Sequence, residues 1–119
     1  MKKYKQLNVW KLSHQLTLDI YKLTKQLPKE ETYAMVQQMR RAAYSAPSNI
    51  IEGNSRRSKK EFRRFLVIAR ASIDELAYFL LLAKDLEYIS EEQFLIHEDK
   101  CSHIAAMINR LIETLKLKS

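Results

Sequence analysis

The sequence predicts an all-α protein: an antiparallel, up-down-up-down four-helix bundle with a proline-bent second helix. Apolar residues recur every three or four positions along most of the chain, which is the spacing of helices with one buried face. The 119 residues include one Gly and two Pro, too few for the turns of hairpins or β-sandwiches. Because this length suits one hydrophobic core and not two, we expect residues 1–119 to form a single four-helix-bundle domain.

The first helix is predicted from an apolar series that starts at Val9 and ends at Leu27. Pro28 follows at once, and a proline at that point stops a helix because it cannot supply the next backbone hydrogen bond.

The second helix is predicted to begin at Glu30, whose negative charge suits the positive end of a helix dipole. It should run to about Ile51 and stop at Gly53, since glycine readily adopts the left-handed conformation that ends many helices. Pro47 lies inside it, so we expect a bend between Ala43 and Pro47. Polar side chains beside the bend should bond to the backbone groups that it frees; they are Ser45, Ser48 and Asn49.

The third and fourth helices each begin at a capping box, a Ser followed three residues later by Glu or Gln. Ser58 with Glu61 opens the third helix, and Ser90 with Gln93 opens the fourth. The predicted inner stripe of the third helix is Phe62, Phe65, Leu66, Ala69, Ile73, Leu76, Leu80 and Ala83. That of the fourth is Phe94, Cys101, Ile104, Ile108, Leu111 and Leu115.

A polar layer is predicted between the second and third helices. If they are antiparallel and joined near residues 54–57, facing positions have numbers that sum to about 113, which sets Arg41 beside Ser72 and Gln37 or Gln38 beside Glu75. A buried Glu75 needs a cation, and Arg41 or Arg40 would supply it. We expect this layer to fix the helix register.

The excess positive charge is concentrated in one segment. Residues 36–70 contain nine of the 21 Lys and Arg but two of the 14 acids, and so carry the whole formal charge of +7. A basic block without interleaved acids favours contact with a polyanion, most often nucleic acid. Docking on an acidic partner protein and a merely solvated face are the alternatives.

The candidate nucleic-acid-binding residues, RNA or DNA, are the cations of this block and one tyrosine that could stack on a base. They are Arg40, Arg41, Tyr44, Arg56, Arg57, Lys59, Lys60, Arg63, Arg64 and Arg70. We expect the cations of the third helix to point away from its apolar stripe, into solvent.

No catalytic or metal-binding pattern is found in the sequence. His97 and Cys101 stand one helical turn apart, but two ligands do not complete a zinc site. There is neither a Gly-rich loop nor a Ser-His-acid arrangement. We therefore expect no enzyme activity, metal or cofactor, and a core position for Cys101. Without an apolar run of membrane-spanning length or a signal peptide, a cytoplasmic location is expected.

A homo-oligomer is predicted from the third helix, which is apolar on every side between Tyr78 and Leu82. Ile89 and Ile96 add to this apolar surface. One bundle cannot cover all faces of such a helix, so a second contact surface is expected.

The motif around the second helix resembles a known family. Its residues are Gln37, Arg40, Arg41, Ala42, Ser45, Pro47, Ser48, Asn49, Ile50, Glu52 and Gly53, followed by Arg63, Phe65, Leu66, Ala69, Ser72, Glu75 and Leu76. They resemble the bacterial four-helix-bundle family of 23S rRNA intervening-sequence proteins, to which the accessory protein of diversity-generating retroelements is similar. The resemblance implies a basic ring of five subunits and, in the retroelement relatives, binding to nucleic acid and a reverse transcriptase. The family commonly has Gly at the position of Ala71.

Overall fold

The computed structural model describes residues 7–117. These residues form four α-helices: α1 (Asn8–Thr24), α2 (Met35–Ser55), α3 (Lys59–Asp85) and α4 (Glu91–Leu117). A single 3₁₀ turn, Lys29–Glu31, lies between α1 and α2. The bundle measures 46 × 22 × 22 Å, which confirms the predicted all-α four-helix bundle. Within the described range, none of these helices is long and apolar enough to cross a membrane.

Contacts between the helices show that neighbours run in opposite directions. On α3 and α4, Arg63 contacts Leu115 and Arg70 contacts Asn109, so rising numbers on one helix meet falling numbers on the next. Asp19 of α1 pairs with Lys100 of α4, closing the ring of four helices. The α2–α3 turn therefore lies at one end of the bundle and the α3–α4 link at the other.

The core contains the predicted apolar stripes. Every predicted inner residue of α3 is buried except Phe62, which is half-buried and packs against the core. On α4, Cys101, Ile104 and Ile108 are buried, whereas Phe94, Leu111 and Leu115 are half-buried. Ile112 is also buried, although the predicted stripe did not include it.

Both capping boxes begin helices as predicted. Ser90 and Gln93 bond reciprocally: the Gln93 N–H donates to Ser90 Oγ at 3.0 Å, and the Ser90 N–H donates to Gln93 Oε1 at 2.9 Å. Ser58 Oγ accepts from the Glu61 N–H at 3.2 Å. The Glu61 carboxylate turns to Arg64, so only half of this second box is formed.

The predicted start of α2 at Glu30 is wrong. The helix begins at Met35, because the acids before it form the separate 3₁₀ turn. The Glu31 carboxylate still acts as a cap from outside the helix: Oε1 accepts from the Met35 N–H at 3.4 Å, and Oε2 accepts from Tyr88 Oη at 2.9 Å. The bond to Glu31 raises the pKa of the Tyr88 phenol.

The prediction that Gly53 ends α2 in a left-handed conformation is also wrong. Gly53 lies inside α2, its φ is not positive, and the helix continues to Ser55. The positive φ values belong to Arg57, at 56°, and Glu87, at 63°. The missing side chain of Gly53 serves packing, because α3 approaches so closely that an added Cβ would lie 2.7 Å from Phe65 Cβ.

Glu87 ends α3 in a Schellman motif. The Tyr88 N–H donates to the Ala83 carbonyl at 2.8 Å, and the Glu87 N–H donates to the Lys84 carbonyl at 2.9 Å. This pair of bonds requires the left-handed residue between them, where glycine is the usual choice. A side chain in that conformation costs about 1 kcal/mol or more.

We expect Glu87→Gly to raise the free energy of unfolding. Relief of the left-handed strain outweighs the extra flexibility that glycine gives the unfolded chain, for a net gain of about 0.5 kcal/mol. Urea denaturation measures it. The control is Glu92→Gly, exposed in the first turn of α4, which should lower stability because its backbone is helical. A less stable Glu87→Gly variant would contradict the strain argument.

The carbonyl that Pro47 leaves without a helical donor is that of Ala43, four residues earlier. Thr17 of α1 supplies the missing donor: its Oγ1 lies 3.1 Å from the Ala43 carbonyl and 2.8 Å from that of Ser13. The prediction that Ser45, Ser48 and Asn49 serve the freed group is not met at this carbonyl. Asn49 donates instead to the Ser45 carbonyl at 2.8 Å, which is not the group that Pro47 frees. Ser48 is exposed. The bend of α2 itself stays a prediction.

Candidate nucleic-acid interface

The ten predicted binding residues do not form one patch. Six of them lie around the α2–α3 turn; we call this group the basic end, and it comprises Arg56, Arg57, Lys59, Lys60, Arg63 and Arg64. Arg40, Arg41 and Tyr44 lie near the start of α2, about 20 Å along the bundle at 1.5 Å per residue. Arg70 lies between the two groups on α3.

Three cations of the basic end are exposed because the turn holds them outside both helices or at the start of α3. Arg57 occupies the left-handed position of the turn, and Lys59 and Lys60 open α3. All three are exposed. Arg57 and Lys60 form no ion pair with another residue of the described range 7–117, so their charge is available to a partner.

Two further cations are held against an aromatic ring. The guanidinium groups of Arg56 and Arg64 lie 5.1 and 4.5 Å from the centre of the Phe65 ring. Each also pairs with an acid on its own helix: Arg64 with Glu61 at 3.1 Å and Arg56 with Glu52 at 3.7 Å. The hydrogen bond from Arg64 lowers the pKa of the Glu61 carboxyl. Both cations stay at the surface, with part of their charge compensated.

Arg63 does not point into solvent as predicted. It is half-buried and its Nη1 donates to the Leu115 carbonyl in the last turn of α4 at 3.2 Å. A cation is favourable there because the carbonyl end of a helix carries partial negative charge. Arg63 thus ties α3 to α4.

Arg40 likewise joins two helices. Its Nε donates to Thr24 Oγ1 at 2.9 Å, its Nη2 donates to the Tyr21 carbonyl at 3.3 Å, and its guanidinium lies 4.5 Å from the centre of the Tyr21 ring. These contacts fasten α2 to the end of α1.

The remaining predicted residues also lie away from the basic end. Tyr44 is exposed, but it is far from the basic end. Arg70 donates to Asn109 Oδ1 at 3.4 Å.

The predicted buried polar layer is not found in the structure. Arg41 does pair with Glu75, at 3.7 Å, but 42% of the Glu75 side chain is exposed. Ser72 bonds to Ser45 at 2.8 Å and not to Arg41. Facing numbers on α2 and α3 sum to 116 or 117, not 113, because α2 extends beyond Gly53 and the turn comes later.

The opposite end of the bundle is acidic. Residues 85–99 include six acids and no Lys or Arg; we call this group the acidic end, and it comprises Asp85, Glu87, Glu91, Glu92, Glu98 and Asp99. All are exposed except Glu98, which is half-buried. Lys22, Lys25 and Lys84 lie at the same end and offset part of this negative charge. The bundle is therefore electrically polar along its length, strongly basic at one end and weakly acidic at the other. Sequence reasoning did not draw this conclusion, although the predicted third helix already separates the two segments along the bundle.

A metal site is absent from the part of the chain that the structure describes, where no three His, Cys, Asp or Glu side chains are placed to hold an ion. Cys101 is buried, and burial raises the pKa of its thiol to about 12. Such a thiol is unreactive at neutral pH.

Fold and surface together define an all-α four-helix-bundle protein with one strongly basic end. The chain matches the 23S rRNA-intervening sequence protein family over residues 5–110 and belongs to it. It is also similar to a crystal structure of a protein with unknown function from the S23 ribosomal protein family of Bacteroides thetaiotaomicron. The two are 26% identical, with a TM-score of 0.78 over 87% of this chain and 97% of the other. No curated protein matches the chain.

Proposed function

We propose that this protein is a non-catalytic, homo-oligomeric module of the cytoplasm that binds nucleic acid, RNA or DNA, through its basic end. The observation that carries the proposal is the gathering of six cations at one end of a bundle whose other end is acidic. Such a distribution of charge attracts a phosphate backbone to the basic end in preference to the other end. The names of the family and of the similar protein, which mention 23S rRNA and ribosomal proteins, agree with an RNA partner.

An adaptor that docks its basic end on an acidic protein is the competing proposal. The exposed cations Arg57 and Lys60 suit carboxylates as well as phosphates. The two proposals differ in what the purified protein binds and in how strongly the affinity depends on salt. A nucleic acid releases condensed counterions when it is bound, whereas a folded protein surface carries a lower density of counterions.

Self-association is supported by apolar side chains on the outer face of α3. Val67, Ile68, Tyr78 and Leu81 are all exposed, Tyr78 by 57%. Such a surface on one helix is typical of a protein contact. Light scattering should give a mass that is a multiple of 14.1 kDa, and the family resemblance suggests five subunits. A monomer at micromolar concentration would remove this part of the proposal.

We expect the double variant Arg57→Gln, Lys60→Gln to bind RNA and DNA of any sequence about tenfold more weakly near 0.1 M salt. Two lost phosphate contacts should also reduce the slope of log affinity against log salt by about 1.8 on a duplex. Titration of labelled nucleic acid across a salt series measures both. Arg63 is left unchanged because it also ties α3 to α4.

The matched control is Lys22→Gln with Lys25→Gln, which removes the same charge from exposed positions near the other end of α1. It should bind almost as tightly as the parent. An equal loss in both variants would mean that net charge alone matters, and no loss in the first variant, with its thermal melt unchanged, would favour the adaptor proposal.

A further inference from the structure

We infer that the basic end docks end-on against the phosphate backbone of a nucleic-acid duplex, with the long axis of the bundle pointing away from it. The inference rests on the proposed function and names the form of nucleic acid that the same site takes. Three features carry it: the separation of the charges, the covering of the aromatic rings, and the shape of the bundle.

The distance between the basic end and the acidic end determines how the bundle is oriented on the nucleic acid. From Lys60 to Asp85, α3 rises about 37 Å, several times the screening length of about 8 Å at physiological salt. In an end-on complex the acidic end is therefore too far from the phosphates to repel them. A bundle that lay lengthwise would bring the exposed acids of residues 85–99 against the backbone and lose affinity.

The burial of the aromatic rings at the basic end indicates whether a duplex or a single strand is bound. Single strands are held largely by bases that stack on exposed rings. At the basic end Phe65 is buried, and Phe62 is half-buried and packs against the core. Trp10 is half-buried, and the centre of its ring lies 5.2 Å from that of the His14 ring on which it stacks. The rings described at this end therefore present no base platform. The available contacts are charge to phosphate, and these favour the duplex, which has a phosphate for every 1.7 Å or so of its axis.

The shape of the bundle fits the same arrangement. Its cross-section of 22 Å covers about six base pairs at 3.4 Å each. A closed cyclic oligomer of bundles packed side by side keeps every subunit pointing the same way along the ring axis. All basic ends would then lie on one face of the particle, and the acidic ends on the other.

Tethered hydroxyl-radical cleavage tests the orientation, because an iron chelate cuts only the backbone that lies close to it. Single cysteines replace exposed residues at the basic end, on the side of α4 and at the acidic end: Ser55→Cys, Ser102→Cys and Glu92→Cys. The buried Cys101 should stay unlabelled. Treatment of the parent protein with the same reagent is the control for labelling of Cys101. We expect the chelate on Ser55→Cys to cut a bound 20-base-pair duplex, and the other two to cut at background level.

Affinity for that duplex and for one of its strands, at the same salt, tests the form of nucleic acid. The duplex should bind at least fivefold more tightly. Cutting from Ser102→Cys or Glu92→Cys as strong as from Ser55→Cys would overturn the end-on arrangement, and equal or tighter binding of the single strand would overturn the duplex assignment. Absence of binding to either form would overturn the proposed function as well, so the two failures are distinct.

Discussion

Gly53→Ala should lower the free energy of unfolding by about 2 kcal/mol. The direction of this change in stability is informative, because it is opposite to the usual effect of the substitution. Inside a helix, Gly→Ala ordinarily stabilises by about 1 kcal/mol, because alanine restricts the unfolded chain and favours helical backbone. Gly53 is helical and its φ is not positive, so backbone conformation alone would predict a more stable protein.

Close packing of α2 against α3 reverses that expectation. A methyl group on residue 53 would lie 2.7 Å from Phe65 Cβ and 3.4 Å from Phe62 Cα. Neither atom can turn away, since Cα is backbone and Cβ is fixed to it, so the two helices would have to move apart. Overpacking of this kind costs about 1 to 3 kcal/mol, and Gly53→Val should cost more.

Urea denaturation of Gly53→Ala and Ser48→Ala measures the effect against a matched control. Ser48 is exposed on the same helix, so its replacement by alanine should change stability by less than about 0.5 kcal/mol. A Gly53→Ala protein as stable as its parent would show that α2 and α3 do not approach so closely. Weaker unfolding cooperativity in Gly53→Ala alone would support the separation of the helices.

The wrong prediction at Gly53 shows why some parts of the fold could be predicted from the sequence and others could not. Apolar periodicity and capping boxes depend on neighbouring residues, so the inner stripe of α3 and the starts of α3 and α4 were predicted correctly. A lone glycine has two uses, a left-handed turn or a close approach between helices, and local sequence does not distinguish them. The wrong choice ended α2 early and shifted the predicted register with α3 by about three residues.

The candidate interface was predicted in composition and not in arrangement. A run of cations is countable in the sequence, but the partners of Arg40 and Arg63 lie on α1 and α4, distant in the chain. The acidic end was equally countable. Its meaning depends on the length of α3, which rises about 37 Å from Lys60 to Asp85 and so places the basic and acidic segments toward opposite ends of the bundle.

The hydroxyl group of Thr17 gives the second large effect, and the sequence offered no signal for it. Thr17 is buried and shares its one hydroxyl proton between two carbonyls, of which only that of Ala43 lacks a helical donor because residue 47 is proline. Thr17→Val keeps the shape and removes the donor. Leaving a buried carbonyl without a partner should cost about 1 to 3 kcal/mol.

The same substitution should cost much less in a protein that already has Pro47→Ala. Alanine at position 47 restores an N–H that can donate to the Ala43 carbonyl, so the carbonyl keeps a partner when Thr17 is lost. The coupling free energy of the double-mutant cycle should then be about 1 kcal/mol. Thr114→Val is the control, because Thr114 bonds the Arg110 carbonyl on the exposed face of α4 and should change stability by less than about 0.5 kcal/mol. Equal losses from Thr17→Val in both backgrounds would mean that Thr17 and Pro47 act independently, and that α2 tolerates its proline without help from α1.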